Sequence, residues 1–174
     1  MKSWTDLSMI DMPPRVAALP RDVRGYPIPY TIQRDATGKP DFRIVDPQKA
    51  KRAVQARCCG ICGEMLGARI AFVGGPLAMA NRLFTDLPMH RDCAIYALRT
   101  CPFIAAPKFA YSRAFPADTV VSDNVSTDRP DQFGLGITKT FSVVLLNGEP
   151  VLRAGEFESI EWWRHGKREA HAAA

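Results

Sequence analysis

The most regular pattern of apolar and polar positions lies in residues 138–153. Phe141, Val143 and Leu145 alternate with Thr140, Ser142 and Val144, and Asn147-Gly148 follows as a strong two-residue hairpin turn before Pro150-Val151-Leu152-Arg153 returns. Helical spacing shows in two shorter places. Ala50, Ala53 and Val54 recur at i, i+3, i+4. Asp46 is a good N-cap, and Pro47 suits the first helical position, so a helix is expected from 47 to about 57. A second helix is expected from about His90 to Arg99, with Ala94, Ala97, Leu98 and Cys101 on or near one face and Pro102 ending it. Phe42–Val45 and Arg69–Val73 read as short strands, the second ended by Gly74-Gly75-Pro76. Leu77–Phe84 reads as a loop with room for a helical turn.

The remaining stretches are less regular. Residues 1–40 carry Pro13, Pro14, Pro20, Pro27, Pro29 and Pro40, which leave little room for helix or central strand. They predict an extended basic arm, with Tyr26, Ile28 and Tyr30 packed on the domain or turned towards a ligand. Residues 107–135 lack a clear period. Asp118, Asp123, Asp128 and Asp131 do not match a calcium loop, and irregular surface loops around a strand at Thr119-Val120-Val121 are expected. Residues 156–164 place acidic side chains first and Arg164 last, which suits a short helix, with β-structure as the other reading. The tail from Gly166 is expected to fray. The sum is an α+β fold: an N-terminal arm over 1–40, a single domain over 41–165, and a flexible tail over 166–174.

Composition supports one packed domain. The 174 residues are 47% apolar and 24% charged. The longest stretch without charge, Ile70 to Asn81, is 12 residues, too short for a membrane helix. No apolar signal core precedes Pro13-Pro14, so a soluble, cytoplasmic protein is expected. The net charge of +5 is uneven. Residues 1–57 hold 11 Lys/Arg against 6 Asp/Glu, whereas residues 58–174 hold 12 of each. Lys49, Lys51, Arg52 and Arg57 fall close together and form either a phosphate-binding patch or a solvated helix face.

The strongest chemical signal is Cys59-Gly60-Ile61-Cys62 followed, after 27 residues, by His90-Arg91-Asp92-Cys93. Two ligand pairs of two-residue spacing supply three sulfurs and one nitrogen, the donor set of a closed tetrahedral Zn²⁺ site. Four protein ligands leave no open position, so the zinc is expected to be structural. Cys58 is expected to be buried or a spare ligand. Cys101 is eight residues beyond Cys93, about 12 Å along a helix axis, and cannot share the ion from there. A knuckle, a hairpin and a helix whose first turn brings the last ligands resemble a treble-clef zinc finger over residues 58–102. The longer run from Cys59-Gly60-Ile61-Cys62-Gly63-Glu64 through Gly74-Gly75-Pro76 and Pro88-Met89-His90 to Cys101-Pro102-Phe103 resembles a group of uncharacterised bacterial and phage-associated proteins. Arg24-Gly25-Tyr26-Pro27-Ile28-Pro29 and Glu161-Trp162-Trp163 belong to the same resemblance, which implies no specific activity.

Two classes of function follow. A zinc-stabilised binding module would use the basic N-terminal third, with Trp4, Tyr26 and Tyr30 beside its charge, to hold nucleic acid or an acidic protein surface. Trp162 and Trp163 offer a second aromatic contact for a protein partner. The alternative is a zinc-finger-scaffolded hydrolase or nuclease-like enzyme with a polar site near Glu64, Asn81 and Arg82, flanked by Asp86 and Asp92. Against it, no histidine lies between Glu64 and Met89, and His165 and His171 sit in or near the tail.

Overall fold

The computed structural model of the chain describes residues 6–107 and 129–170. A 3-10 turn at Leu7–Met9 leads to α1 (Pro14–Ala17). Pro14 occupies the first turn of this short helix, where its missing N–H costs nothing. The chain then forms β1 (Ile32–Arg34), β2 (Pro40–Val45), α2 (Pro47–Gln55), β3 (Ile70–Gly74), α3 (Pro76–Asn81), β4 (Leu83–Phe84), α4 (Arg91–Thr100) and α5 (Pro102–Ala105). Strands β5 (Phe133–Thr138), β6 (Phe141–Leu146), β7 (Glu149–Ala154), β8 (Ser159–Arg164) and β9 (Lys167–Arg168) complete it. The α+β class expected from the sequence is the one observed.

All strand pairings among the described residues are antiparallel. They make a two-stranded sheet β1-β2, a four-stranded sheet β3-β5-β8-β9 and a three-stranded sheet β4-β7-β6. The core sits on β3 and β5. Ile70, Ala71 and Phe72 are fully buried, and all six residues of β5 are buried. Each large apolar side chain sealed this way stabilises by about 1.5–3 kcal/mol. Ala94 and Leu98 of α4 add to the same cluster, as do Phe84, Leu152 and Ala154 of the three-stranded sheet. Phe72 links the sheets through its ring, 4.8 Å from Phe84 and 6.0 Å from Phe141.

The first third of the chain is part of this packing. Val16 is fully buried, and Tyr26, Ile28 and Ile32 are buried. The prolines therefore direct the segment across the domain surface rather than away from it.

Three expectations change. Residues 159–164 form a strand, not a helix: β8 pairs with β5 from Phe133↔Trp163 to Ile137↔Ser159. The acid-first, base-last pattern is a weak helix signal, and pairing with a buried strand overrides it. Strand β5 falls in and just after the stretch read as aperiodic. A strand buried on both faces has no polar alternation to display, and two glycines interrupt it. Their lack of a side chain makes room for Met79 over Gly134 and Phe157 over Gly136. Lys167–Arg168, in the segment expected to fray, pair with β8 through Trp163↔Arg168 and Arg164↔Lys167. The strand expected at Thr119–Val121 lies outside the described residues. The hairpin at Asn147-Gly148 forms as read, but Val143 and Leu145 on β6 are exposed, and it is Leu152 and Ala154 on β7 that reach the core.

Candidate metal centre

Each ligand pair is delivered by a local structure that its own sequence specifies. Asp46 caps α2 by accepting hydrogen bonds from the backbone N–H groups of Gln48 and Lys49. The helix ends at Gln55, and Arg57 takes a left-handed φ of 53°, which turns the chain into the knuckle. Within the knuckle the Cys59 N–H donates to the Glu64 carbonyl at 2.8 Å, and the Gly63 N–H donates back to the Cys59 carbonyl at 2.9 Å. Gly63 has a φ of 77°, open to glycine at no cost. Gly60 is needed for space instead, since a Cβ there would lie 2.6 Å from that of Leu87.

The second pair is hung from the sheet. Ala71 of β3 and Met89 exchange both backbone hydrogen bonds, at 2.8 and 2.9 Å, and the Gly60 N–H donates to the Pro88 carbonyl. This places His90 beside the knuckle as the N-cap residue of α4, with Cys93 in the first helical turn. The N-terminal segment closes the other side. The Tyr30 N–H donates to the Ile61 carbonyl, and the Thr31 hydroxyl donates to the Gly60 carbonyl.

The result is one cluster. The Sγ atoms of Cys59, Cys62 and Cys93 and a ring nitrogen of His90 all lie within 4.8 Å of one another. Cys62 Sγ is 3.4 Å from His90 Nδ1, and the His90 backbone N–H donates to Cys59 Sγ at 3.4 Å. A tetrahedral ion with metal–sulfur bonds of about 2.3 Å needs ligand–ligand edges of about 3.5–3.8 Å, so the four donors fit one ion with small closure. Cys59 and Cys93 are fully buried, whereas Cys62 and His90 are partly exposed. Three thiols this close share charge unequally. Hydrogen bonds from Cys62 and Cys93 push the Cys59 thiol far down, and the same bond to Cys59 pushes Cys62 up to about 11. Cys93 is pushed up as well, by its bonds to Cys59 and Cys62. Holding a metal ion would require the thiols to give up their protons.

Around the ligands, His90 Nε2 lies 3.0 Å from the Met65 carbonyl, which fixes the ring with Nδ1 towards the sulfurs. Arg15 of α1 lies 3.7 Å from Glu64 and 3.5 Å from Asp92, so one guanidinium spans the knuckle and the first turn of α4. Nothing in the local sequence around Arg15 marks that role. Cys58 stands apart from the quartet: its strand-like bridge is to Met65, and its thiol points to the Ala56 carbonyl. Cys101 is also outside it, at the end of α4. Glu64 and Asp92 are spent on Arg15, and Asn81 and Asp86 are exposed. Arg82 takes a left-handed φ of 57° at the end of α3, where its carbonyl accepts from the Ala154 N–H. The groove described below is not lined by Glu64, Asn81 or Arg82.

The basic residues predicted to form a patch lie on α2 and at its exit. Lys51, Arg52 and Arg57 are exposed and Lys49 is partly so. A groove of about 490 Å³ runs between this helix and the knuckle, lined by Tyr30, Arg52, Gln55, Cys58 and Gly63 among others. Lys49 Nζ sits 5.9 Å from the Tyr30 ring centroid, and the Arg57 guanidinium sits 4.7 Å from that of Phe141. Trp163 is buried and Trp162 partly so. No helix among the described residues is long and apolar enough to cross a membrane. Comparison with known proteins finds no family model, no curated protein and no solved structure that matches this chain.

Proposed function

We propose that Cys59, Cys62, His90 and Cys93 hold a structural Zn²⁺ in a treble-clef-like core, and that the protein is a module that binds nucleic acid backbone through α2. The donor chemistry supports zinc: three thiolates and one imidazole in a closed tetrahedron, with no position left for substrate. The ion would tie the knuckle to α4 and so set the angle at which α2 leaves the core.

The observation that carries the binding reading is the state of the α2 cations. Of the ion pairs formed among the described residues, none uses Lys49, Lys51, Arg52 or Arg57. Elsewhere Arg24, Arg43, Arg91 and Arg164 are each matched by a carboxylate. Cations on α2 and at its exit without a carboxylate partner among the described residues, next to a groove with a tyrosine in its wall, suit phosphate contacts that hold a strand without reading its sequence. An acidic protein surface is the competing partner.

The test is strand binding at low salt, with single- and double-stranded DNA and RNA. Affinity is expected to fall steeply as salt rises, because each neutralised phosphate releases counterions. Lys49→Ala/Lys51→Ala/Arg52→Ala is expected to weaken binding and flatten the salt slope, with the melting temperature unchanged. Absence of binding to every one of these strands would remove the nucleic-acid reading and leave an acidic protein partner.

A further inference from the structure

The three sulfurs of the quartet are not equally sheltered. Cys59 and Cys93 are fully buried, whereas Cys62, in the turn of the knuckle, is partly exposed. His90, the other partly exposed member, offers no sulfur. A small oxidant arriving from solvent therefore meets Cys62 first among the ligand sulfurs. Thiolates within such reach are the ones that oxidise, and a sulfur nearby decides whether the product can be reversed.

That second sulfur is present. The Sγ atoms of Cys59, Cys62 and Cys93 all lie within 4.8 Å of one another. Cys59 shares the knuckle with Cys62, and the Cys59–Glu64 and Gly63–Cys59 backbone hydrogen bonds hold that knuckle closed. A bond between these two sulfurs asks nothing of α4, which carries Cys93. Cys58 and Cys101 stand outside the quartet, and the Cys58 thiol points to the Ala56 carbonyl.

We propose that Cys62 is a site of oxidation by peroxide, and that the product is a Cys59–Cys62 disulfide that frees the metal. This rests on the reading of the quartet as a zinc site. The Cys62 thiolate attacks one oxygen of hydrogen peroxide. An S–O bond forms, the O–O bond breaks, and the departing hydroxide takes a proton to become water. The Cys59 thiolate then attacks the Cys62 sulfur. An S–S bond forms, the S–O bond breaks, and the second hydroxide takes another proton to become water. The two sulfurs together lose two electrons, and the peroxide gains them. His90 and Cys93 remain, and two donors do not close a tetrahedron. The knuckle and the first turn of α4 are then no longer tied through one ion.

The test adds hydrogen peroxide in small excess to the full-length, zinc-loaded chain, with zinc measured beforehand by metal analysis. Release is followed with a colorimetric chelator, and thiols are counted in denaturant. One Zn²⁺ per chain is expected to leave as the free thiols fall from five to three, and peptide mapping is expected to find Cys59 joined to Cys62. Dithiothreitol with added Zn²⁺ is expected to restore both counts. Cys62→His keeps a donor but offers no sulfur, and it is expected to hold its zinc through the same treatment. Cys58→Ala and Cys101→Ala are expected to release zinc as the unaltered chain does. If Cys62→His takes up no zinc, the peptide map of the unaltered chain decides. The proposal is overturned if the zinc leaves with Cys62 still a free thiol, or if Cys62→His releases it as readily. A chain that holds zinc and keeps it under peroxide overturns this proposal alone; a chain that holds none beforehand overturns the zinc reading with it.

Discussion

The Met65 carbonyl oxygen lies 3.0 Å from Nε2 of His90, 25 residues further along the chain. That contact decides which ring nitrogen faces the cysteines. With Nε2–H donated to Met65, Nδ1 is left facing the cysteines, 3.4 Å from Cys62 Sγ, as the ring atom that a metal could use. Met65 itself is held by its bridge to Cys58, so the knuckle orients the histidine that completes it.

One Zn²⁺ per chain is the expected metal content, measured on protein purified without chelator. Cys62→Ser is expected to lose the metal and to lower stability by roughly several kcal/mol, because binding energy at such a site is folding energy. Metal analysis and thermal melting check it together. A variant that keeps both its metal and its melting temperature would remove Cys62 from the ligand set.

Asn147 and Gly148 have φ of 52° and 81°, the two left-handed residues of a type I′ turn. A Cβ at Gly148 would meet nothing within 4 Å. The cost of Gly148→Val is therefore purely that of the backbone, about 1 kcal/mol or more for a β-branched residue there. Denaturant unfolding measures it, and a neutral substitution would argue against this turn.

The two glycines of β5 should respond differently to alanine. At Gly136 the new methyl would strike the Phe157 ring, and at Gly134 it would come 2.6 Å from the flexible side chain of Met79. Overpacking against a rigid ring is expected to cost about 1–3 kcal/mol, and against a methionine less. Equal losses for Gly136→Ala and Gly134→Ala in denaturant unfolding would contradict this account.

Asp46→Ala removes the acceptor for two backbone N–H groups at the start of α2. A loss of about 1 kcal/mol is expected, read by denaturant unfolding. Asp46→Ser or Asp46→Asn, which keep a capping oxygen, should recover most of it. If neither does, the cap is not what holds this end of the helix.

The sequence by itself determined the features that depend on neighbours in the chain. The two-residue spacing within Cys59/Cys62 and within His90/Cys93, the Asp46-Pro47 start of α2 and the Asn147-Gly148 turn each act over a few residues, and each is seen in the structure, while the meeting of the two pairs rests on the sheet that carries Met89. The tertiary structure alone decided what depends on partners far away. Strand β5 hides its pattern because both of its faces are covered, and β8 became a strand because β5 offered it hydrogen bonds. Arg15 reached Glu64 and Asp92 across 49 and 77 positions, distances at which no periodicity carries information. The same holds for charge. A count along the chain found residues 58–174 neutral, yet folding paired Glu161 with Arg91 and Arg168 and Glu169 with Arg164, and left Arg99 without an acid among the described residues. Local geometry is written in short-range sterics and hydrogen bonding; which groups end up unmatched is settled only when the sheets and helices meet.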